Sequence, residues 1–203
     1  MTLDNQTTFI RTIQQALGKT GLEQDGPDLF CLDKDRMTAR MDRYANRSPE
    51  DRQAMVRELI RRAENVGMPV YCESGTAGAR DRILAIAREK QPEWGTRKQV
   101  AAWDHPLLSE LMLETALADH QIDFVSTSMD QNRSESHERN RLKQEIEAAY
   151  IGVTSADFVV AHTATMVMKT RPGELRSVSL VPCIHICVVR ECHLVENLSE
   201  LYT

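Results

Sequence analysis

The chain has 203 residues, of which 41% are hydrophobic and 27% are charged. This balance is typical of a soluble globular protein that is long enough to bury one core. A formal net charge of −5 argues against non-specific nucleic-acid binding, which needs an excess of Lys and Arg. The apolar runs are too short to span a membrane, and residues 1–5 lack the basic flank of a signal peptide. We therefore expect a cytoplasmic protein with no membrane span.

Five cysteines are present, and an odd number without paired spacings predicts free thiols in a reducing compartment. The densest group of soft metal ligands is Cys183-x-His185-x-Cys187. Alternate residues on a strand stand about 6.6 Å apart, whereas structural zinc sites prefer ligands that curl inward from a C-x₂₋₄-C turn. No run of closely spaced cysteines suits an iron–sulfur cluster. The spacing therefore favours a packed strand, and we predict no metal site and no cofactor within the chain.

The first third of the chain contains signals for two helices and two strands. Helical spacing of apolar residues predicts an N-terminal helix within residues 1–20, and a short apolar run predicts a strand at residues 29–32. Ser48 and Pro49 form a strong helix start, and Gly67 can end the helix that follows. Residues 68–72 then have the composition of a strand.

A glycine- and hydroxyl-rich loop follows this predicted strand and precedes a predicted helix. It contains Glu73, Ser74, Gly75 and Thr76. Backbone N–H groups at a helix N-terminus offer an anion site, so these four residues are candidate ligand contacts. The alternative is an ordinary turn, because short connections between strand and helix favour the same residue types.

Strands and helices alternate through the middle of the chain. We predict strands at residues 99–103 and 122–126, and a helix at residues 138–150. Asp104 can cap an intervening helix. The predicted buried side of that helix consists of Leu107, Leu108, Leu111, Met112 and Thr115. This alternation indicates an α/β fold with three layers, in which helices flank a largely parallel sheet.

Two apolar, β-branched runs dominate the C-terminal quarter, at residues 152–168 and 179–190. The turn signal Arg171-Pro172-Gly173-Glu174 separates them, which predicts two paired strands of a buried sheet. Short and hydroxylated residues interrupt the first run at residues 162–165, where packing alone would favour Val or Ile.

These runs resemble the LUD (lactate utilization) family. The matching motifs are Gly152-Val153-Thr154, Asp157 to Ala161, Thr163-Ala164-Thr165 before Met166-Val167-Met168, and Leu180-Val181-Pro182 leading to His185–Val189. The resemblance implies the fold of the NagB, RpiA and CoA transferase class. It also implies work alongside iron–sulfur proteins that oxidise L-lactate to pyruvate, with the clusters held by those partners.

Two departures from the family pattern are visible. Family members usually carry an acidic residue where this chain has His162. They also usually continue into a Ser/Thr-rich segment with Asp-Ile-Glu and a Gly-His-Gly-Pro stretch, whereas this chain stops at Thr203. We therefore treat residues 1–203 as a single LUD-like domain without that extension, and expect any pocket contribution of the extension to be lost or supplied by a partner.

The remaining candidate site residues lie in the C-terminal quarter. His162 is either a hydrogen-bonded histidine or a ligand contact and general base. Thr163 and Thr165 beside it can bind an anion, and Asp157 is either a ligand contact or a turn cap. His185 is also a candidate ligand contact, the alternative being a core or supporting role. If the sheet is parallel, Glu73, His162 and His185 converge on one crevice at its carboxyl end.

Three functions remain open from the sequence. The first is an accessory or ligand-binding component of a lactate utilization system, with iron–sulfur protein subunits as partners and a small anion as ligand. The second is an independent enzyme acting on a sugar phosphate or an acyl-CoA, by analogy with other proteins of the fold class. The third is a non-catalytic interaction module. A homo-oligomer is compatible with each function, and no P-loop, GxGxxG or G-x-S-x-G motif selects a reaction.

Overall fold

A computed structural model describes residues 46–130 and 132–201, together with Thr12 and Thr38. The chain divides into two compact units, Met1–Ala45 and Asn46–Thr203, and nearly all described residues belong to the second. The predicted N-terminal helix within residues 1–20 and the predicted strand at residues 29–32 lie outside the described residues. A single domain spanning residues 1–203 stays a prediction.

The elements of the second unit are numbered in chain order. The helices are α1 (Pro49–Glu64), α2 (Gly75–Glu89), α3 (Pro106–Ser109), α4 (Leu113–Ala118), α5 (Glu135–Ala148), α6 (Ser177–Leu180) and α7 (Leu198–Leu201). The strands are β1 (Gln99–Ala102), β2 (Asp123–Ser126), β3 (Ile151–Ser155), β4 (Phe158–Val160), β5 (Thr165–Val167), β6 (Ile184–Val188) and β7 (Leu194–Val195). No helix in the described ranges is both long and apolar enough to cross a membrane.

The main sheet contains four parallel strands in the order β2-β1-β3-β6. Every residue of β1 and β3 is buried, as expected for central strands that are covered on both faces. The connection from β1 to β2 and the connection from β2 to β3 run in opposite directions along the sheet. Right-handed crossovers therefore place their helices on opposite faces. The predicted α/β fold with a parallel sheet flanked by helices is confirmed.

Contacts of the central strands identify one of the two helical layers. The side-chain amide of Gln99 in β1 donates a 2.8 Å hydrogen bond to the Glu145 carbonyl in α5. Gly152 in β3 lies directly against Val178 in α6. The register pairs Ala101 with Gly152, so both contacts lie on the same face of the sheet. Helices α5 and α6 therefore cover that face.

Local signals account well for α1. The Ser48 hydroxyl accepts a 3.1 Å hydrogen bond from the Asp51 N–H, and Pro49 occupies the first helical position. At the other end, the Met68 N–H reaches the Ala63 carbonyl at 2.9 Å, and Gly67 has a φ of +68°. This is the left-handed termination that glycine favours. The predicted helix start and helix end are both confirmed.

The predicted strand at residues 68–72 is wrong, because residues 68–73 form neither a helix nor a strand. Tyr71 is half exposed, and the Arg82 guanidinium lies 4.7 Å from the centre of its ring. Arg82 also donates a 2.6 Å hydrogen bond to Glu73. These contacts hold the segment along α2 rather than along the sheet.

The predicted pairing of the two C-terminal runs is only partly correct. β3 and β6 pair in parallel, but residues 158–167 leave the main sheet. There β4 pairs antiparallel with β5 and parallel with β7 to form a second sheet. The first run breaks because residues 161–163 form a 3₁₀ turn and Ala164 takes a left-handed φ of +50°. The second run begins as α6, so its strand covers only Ile184–Val188.

Two predictions for the helix after β1 are also wrong. His105 rather than Asp104 occupies the cap position, and its Nδ1 accepts a 3.2 Å hydrogen bond from the Leu107 N–H. Met112 adopts a φ of +49°, splits the predicted helix into α3 and α4, and is 63% exposed. Leu113, at 2% exposure, takes the buried position instead.

The second sheet packs against α1. Met55 and Leu59 of α1 form an apolar cluster with Val159 of β4 and Leu194 of β7, joined by Ala156 and Ala161. The amphipathic face of α1 is therefore buried mainly against the small sheet, and Cys187 of β6 packs at the border of this cluster.

Candidate functional site

The strand order defines the place where a ligand site is expected. Strands β1 and β3 are the central pair of the main sheet. The next strand of this sheet after β1 is β2, on the outer side of β1, and the next one after β3 is β6, on the outer side of β3. Open α/β sheets bind ligands in the crevice at the carboxyl ends of two such strands. Trp103 and Asp104 follow β1 at this edge, and Ala156 and Asp157 follow β3.

A tight turn at residues 171–174 lies across this edge. The Glu174 N–H donates a 3.0 Å hydrogen bond to the Arg171 carbonyl, with Pro172 second in the turn and Gly173 third at a φ of +82°. This is a type II turn, which requires a positive φ at its third residue. The Gly173 carbonyl accepts hydrogen bonds from the Asp104 N–H at 3.1 Å and from the Thr127 hydroxyl. The 171–174 turn is thereby fastened to the ends of β1 and β2.

Arg171 links the same turn to the end of β3. Its guanidinium donates to the Asp157 carboxylate and, at 3.0 Å, to the buried carboxylate of Glu174. Asp157 also accepts a 2.7 Å hydrogen bond from the Lys169 N–H. Burial would raise the pKa of the Asp157 carboxyl, but the bonds from Arg171 and Lys169 outweigh it, so this pKa is lowered. Asp157 therefore carries a charge that is already neutralised inside the protein.

A cleft of about 240 Å³ opens beside this turn, and we call it the carboxyl-edge cleft. The Trp103 indole N–H donates a 2.8 Å hydrogen bond to the Leu175 carbonyl, which fixes the aromatic wall. The Arg176 Nε donates to the Thr170 hydroxyl at 3.0 Å. The lining residues are Trp103, Met166, Met168, Lys169, Thr170, Glu174, Arg176, Ser179 and Leu180. The cleft thus combines an apolar wall with two cationic side chains.

His162 lies in a different cleft, of about 320 Å³, between α1 and the small sheet. Its Nε2 is 3.7 Å from the Glu196 carboxylate, and its backbone N–H donates to the Glu196 carbonyl at 3.1 Å. Asp51 and Glu58 also line this cleft. Hydrogen bonds from Arg61 and Arg62 lower the pKa of Glu58 to about 2, so it is ionised at neutral pH. His162 therefore faces an acidic lining.

The other predicted site residues make mainly local contacts. The Thr163 hydroxyl donates to the Thr165 hydroxyl at 2.9 Å, across the left-handed Ala164. His185 in β6 shares a 2.7 Å hydrogen bond with Thr154 in β3, and burial lowers the pKa of its imidazole. This bond ties two strands of the main sheet together.

The Glu73–Thr76 loop begins α2. Gly75 has a φ of +72°, and the Ser74 side chain makes no capping hydrogen bond. The last turn of α2 accepts a 2.6 Å hydrogen bond from the Tyr150 hydroxyl at the Ala87 carbonyl. Tyr150 directly precedes β3, so α2 ends near the amino edge of the sheet.

The structure does not join Glu73, His162 and His185 through hydrogen bonds. Their side chains instead contact Arg82, Glu196 and Thr154, respectively. These contacts do not bring Glu73, His162 and His185 together in one crevice, although the sequence predicted this convergence. Of the predicted residues, Asp157 is the one that the 171–174 turn brings into the charge network at the carboxyl edge.

Several residues of the carboxyl-edge cleft were not predicted from the sequence. Lys169 and Arg176 flank the Arg171–Glu174 turn signal, but charged residues beside a turn resemble an ordinary solvated surface. Trp103 ends a predicted strand, where an aromatic residue is common. The signal that could have indicated them was the Pro172–Gly173 pair, which marks a tight turn between the two C-terminal apolar runs.

The two cysteines of the Cys183-x-His185-x-Cys187 group lie in different surroundings. Cys183 is exposed, and the partly buried Cys187 pairs in register with Thr154. Over residues 46–130 and 132–201, no three His, Cys, Asp or Glu side chains are grouped so that they could hold a metal ion.

Comparison with known proteins gives the family. The model of the LUD domain matches residues 56–203. The chain belongs to the LUD domain family. It is 30% identical over 121 residues to "Lactate utilization protein C" of Halalkalibacterium halodurans, a match that covers 60% of this chain and 48% of that protein. This LUD-domain chain therefore spans about half the length of that curated relative.

A solved structure confirms the fold. The crystal structure of a DUF162 family protein from Deinococcus radiodurans superimposes with a TM-score of 0.50 and 20% sequence identity. The superposition covers 73% of this chain and 76% of that one. At this level of identity the likeness concerns the fold alone.

Proposed function

We propose that this LUD-domain protein is a ligand-binding accessory component of lactate utilization, and that it works with iron–sulfur protein partners in the oxidation of L-lactate to pyruvate. The observation that carries the proposal is the 30% identity to a protein named for lactate utilization. The family membership over residues 56–203 supports it, because the match includes the carboxyl-edge cleft and the turn beside it.

The geometry supports a binding role. The carboxyl-edge cleft lies where open α/β sheets bind ligands, and it joins an apolar wall to the cations of Lys169 and Arg176. The carboxylates of Asp157 and Glu174 are already engaged by Arg171. The lowered pKa of Asp157 makes it poorly suited to act as a general base, which needs a pKa near the working pH. The arrangement is therefore better suited to binding a ligand than to general-base catalysis.

A deletion in the native host tests the role in lactate utilization. The deletion strain should fail to grow on L-lactate as carbon source but should grow normally on pyruvate, which bypasses the oxidation. Expression of the full chain should restore growth on L-lactate. Equal growth of the deletion strain on both carbon sources would remove the lactate role.

Purification of the chain from its host under anaerobic conditions tests the partners. We expect iron–sulfur proteins to co-purify with the chain, and lactate-dependent electron transfer to depend on its presence. Recovery of the chain alone with a bound sugar phosphate or acyl-CoA would instead identify an independent enzyme. Recovery of the chain alone with nothing bound would contradict the proposed partners.

A further inference from the structure

We infer that the carboxyl-edge cleft binds a small monocarboxylate with a short apolar body, such as a 2-hydroxy or 2-oxo acid. In this arrangement Lys169 and Arg176 bind the carboxylate, and the carbon chain lies against Trp103 and the two methionines of the lining. The cleft and its cations come from the structure, whereas the choice of 2-hydroxy and 2-oxo acids within this ligand class rests on the proposed function.

Lys169 and Arg176 place two exposed cationic side chains in the lining of the cleft. The Lys169 side chain is exposed, and its ammonium makes no hydrogen bond or salt bridge within residues 46–130 and 132–201, although its charge acts on the Asp157 carboxylate from a longer distance. Arg176 uses its Nε on the neutral hydroxyl of Thr170 and makes no ion pair with a described carboxylate. Both cations line the same cleft, and neither is hydrogen-bonded to a carboxylate of the described residues. They offer charge-assisted hydrogen bonds to an anion.

The neighbouring carboxylates are hydrogen-bonded to Arg171 and not to the side chains of these two cations. Glu174 also lines the cleft, but its carboxylate accepts a 3.0 Å hydrogen bond from Arg171, which lies outside the lining. Arg171 binds Asp157 at the same time. Because Arg171 serves both acids, Lys169 and Arg176 remain available to a ligand. The 171–174 turn thus keeps the cleft positive.

Size and wall chemistry narrow the ligand further. A cleft of about 240 Å³ is smaller than the roughly 300–1,000 Å³ typical of pockets for drug-sized ligands, so it suits a molecule of a few heavy atoms better than a dinucleotide or CoA. Trp103, Met166 and Met168 supply an apolar wall that a bare inorganic anion cannot use. A short carbon chain can bury against it at about 0.8 kcal/mol per methylene group.

The two tryptophans of the chain allow a direct test. Trp103 lies in the wall of the cleft and is 4% exposed, whereas Trp94 is 84% exposed. In the full chain carrying Trp94→Phe, fluorescence therefore reports on Trp103. Titration with pyruvate and with L-lactate should give a saturable change. Lactamide, which has the same shape without the charge, should give none, and inorganic phosphate should bind more weakly than either acid.

Charge-removing variants locate the site. Lys169→Gln and Arg176→Gln should each weaken binding about tenfold, the usual scale for one charge-assisted hydrogen bond. The matched control is Lys143→Gln on the exposed face of α5, where the ammonium only approaches Glu147 at 3.9 Å. It should bind like the parent. Circular dichroism should show that all three variants remain folded.

The inference is overturned if lactamide binds as well as lactate, if neither acid binds, or if both cleft variants keep the parent affinity. Its failure is distinguishable from failure of the proposed function. Loss of growth on L-lactate in the deletion strain, with no binding of either acid by the pure chain, would reject the cleft and keep the lactate role. Binding that depends on Lys169, with normal growth of the deletion strain, would keep the cleft as a carboxylate site and reject the lactate role.

Discussion

Gly152 lies so close to the backbone of Val178 that a Cβ atom on Gly152 would stand 1.8 Å from the Val178 carbonyl oxygen. The contact joins β3 to α6, which contributes Ser179 and Leu180 to the carboxyl-edge cleft. Glycine is required here for close packing and not for a positive φ. One contact of the main sheet therefore sets the position of one wall of the candidate site.

Replacing Gly152 with Ala should destabilise the protein markedly. The atoms that a new methyl group would meet belong to the backbone of Val178, which cannot rotate away as a side chain can. Overpacking of this kind costs about 1–3 kcal/mol or more. For a protein of this size we expect Gly152→Ala to lower Tm by roughly 5–10 °C in a thermal melt followed by circular dichroism.

Gly78→Ala is the matched control for this prediction. Gly78 lies inside α2, and the nearest atom to its added Cβ is the Cβ of Glu73 at 3.3 Å, so only a small movement of residues 68–73, which form no helix or strand, is needed. Alanine also favours a helix over glycine by about 1 kcal/mol. Gly78→Ala should leave Tm unchanged or raise it slightly. A similar loss of Tm in both variants would show that the contact with Val178 is not responsible.

Thr127→Val should weaken the attachment of the 171–174 turn. The buried Thr127 hydroxyl donates to the Gly173 carbonyl and accepts a 3.0 Å hydrogen bond from the Asp104 N–H. Valine has nearly the same shape but can neither donate nor accept a hydrogen bond at this position. Because Asp104 also donates directly to Gly173 at 3.1 Å, part of the attachment survives. We expect the free energy of unfolding in urea to fall by about 1–2 kcal/mol with an unchanged m-value.

Thr127→Ser tests whether the hydroxyl is the cause. It retains the donor and acceptor and removes only a methyl group, so its loss of unfolding free energy should be smaller than that of Thr127→Val. The opposite order would mean that packing of the methyl group, and not the hydrogen bonds, holds this position.

Local signals explain which parts of the fold could be predicted. Ser48, Pro49 and Gly67 act on their immediate neighbours, and the ends of α1 were predicted correctly. The apolar runs of β1 and β3 identify buried strands because both faces are covered. By contrast, residues 68–73 have strand composition but no neighbouring strand, and pairing is not visible in local sequence.

The candidate site was harder to predict because its contacts are distant in sequence. Asp157 was a candidate, but its partner Arg171 lies 14 residues away across β4 and β5. Lys169 and Arg176 come together only because the 171–174 turn is fastened to Asp104 and Thr127. His162 was marked by its small neighbours, yet the break in its strand turns it toward α1 and a different cleft.

Glu138 should make stability depend on acid pH. Its buried carboxylate accepts hydrogen bonds from Arg141, the closest at 2.8 Å, and one from the Asp130 N–H at 3.3 Å. The bonds from Arg141 are the main reason that its pKa falls from 4.5 to about 2, although burial opposes them. A lowered folded-state pKa gives stability that is complete above about pH 5 and lost as the pH falls toward 2.

Glu138→Gln should therefore lower Tm at pH 7, and the difference in Tm from the parent should shrink as the pH falls from about 5 toward 2. Thermal melts at several pH values measure this. The control is Glu135→Gln on the same helix, whose exposed pair with Arg139 contributes little. A difference for Glu138→Gln that stays constant down to pH 3 would mean that ionisation is not the cause.

Cys187 should resist alkylation in the folded protein. Burial raises the pKa of its thiol to about 11, although the Thr154 hydroxyl partly opposes this effect. At pH 8 only about one molecule in a thousand then carries the reactive thiolate at this position.

Cys72 and Cys192 are exposed and accessible to reagent. A short treatment with iodoacetamide at pH 8, followed by peptide mass spectrometry, should label these two well before Cys187. The same treatment in urea should label all three. Equal labelling of Cys187 and Cys72 in the folded chain would show that the β3–β6 face around Thr154 is open to solvent.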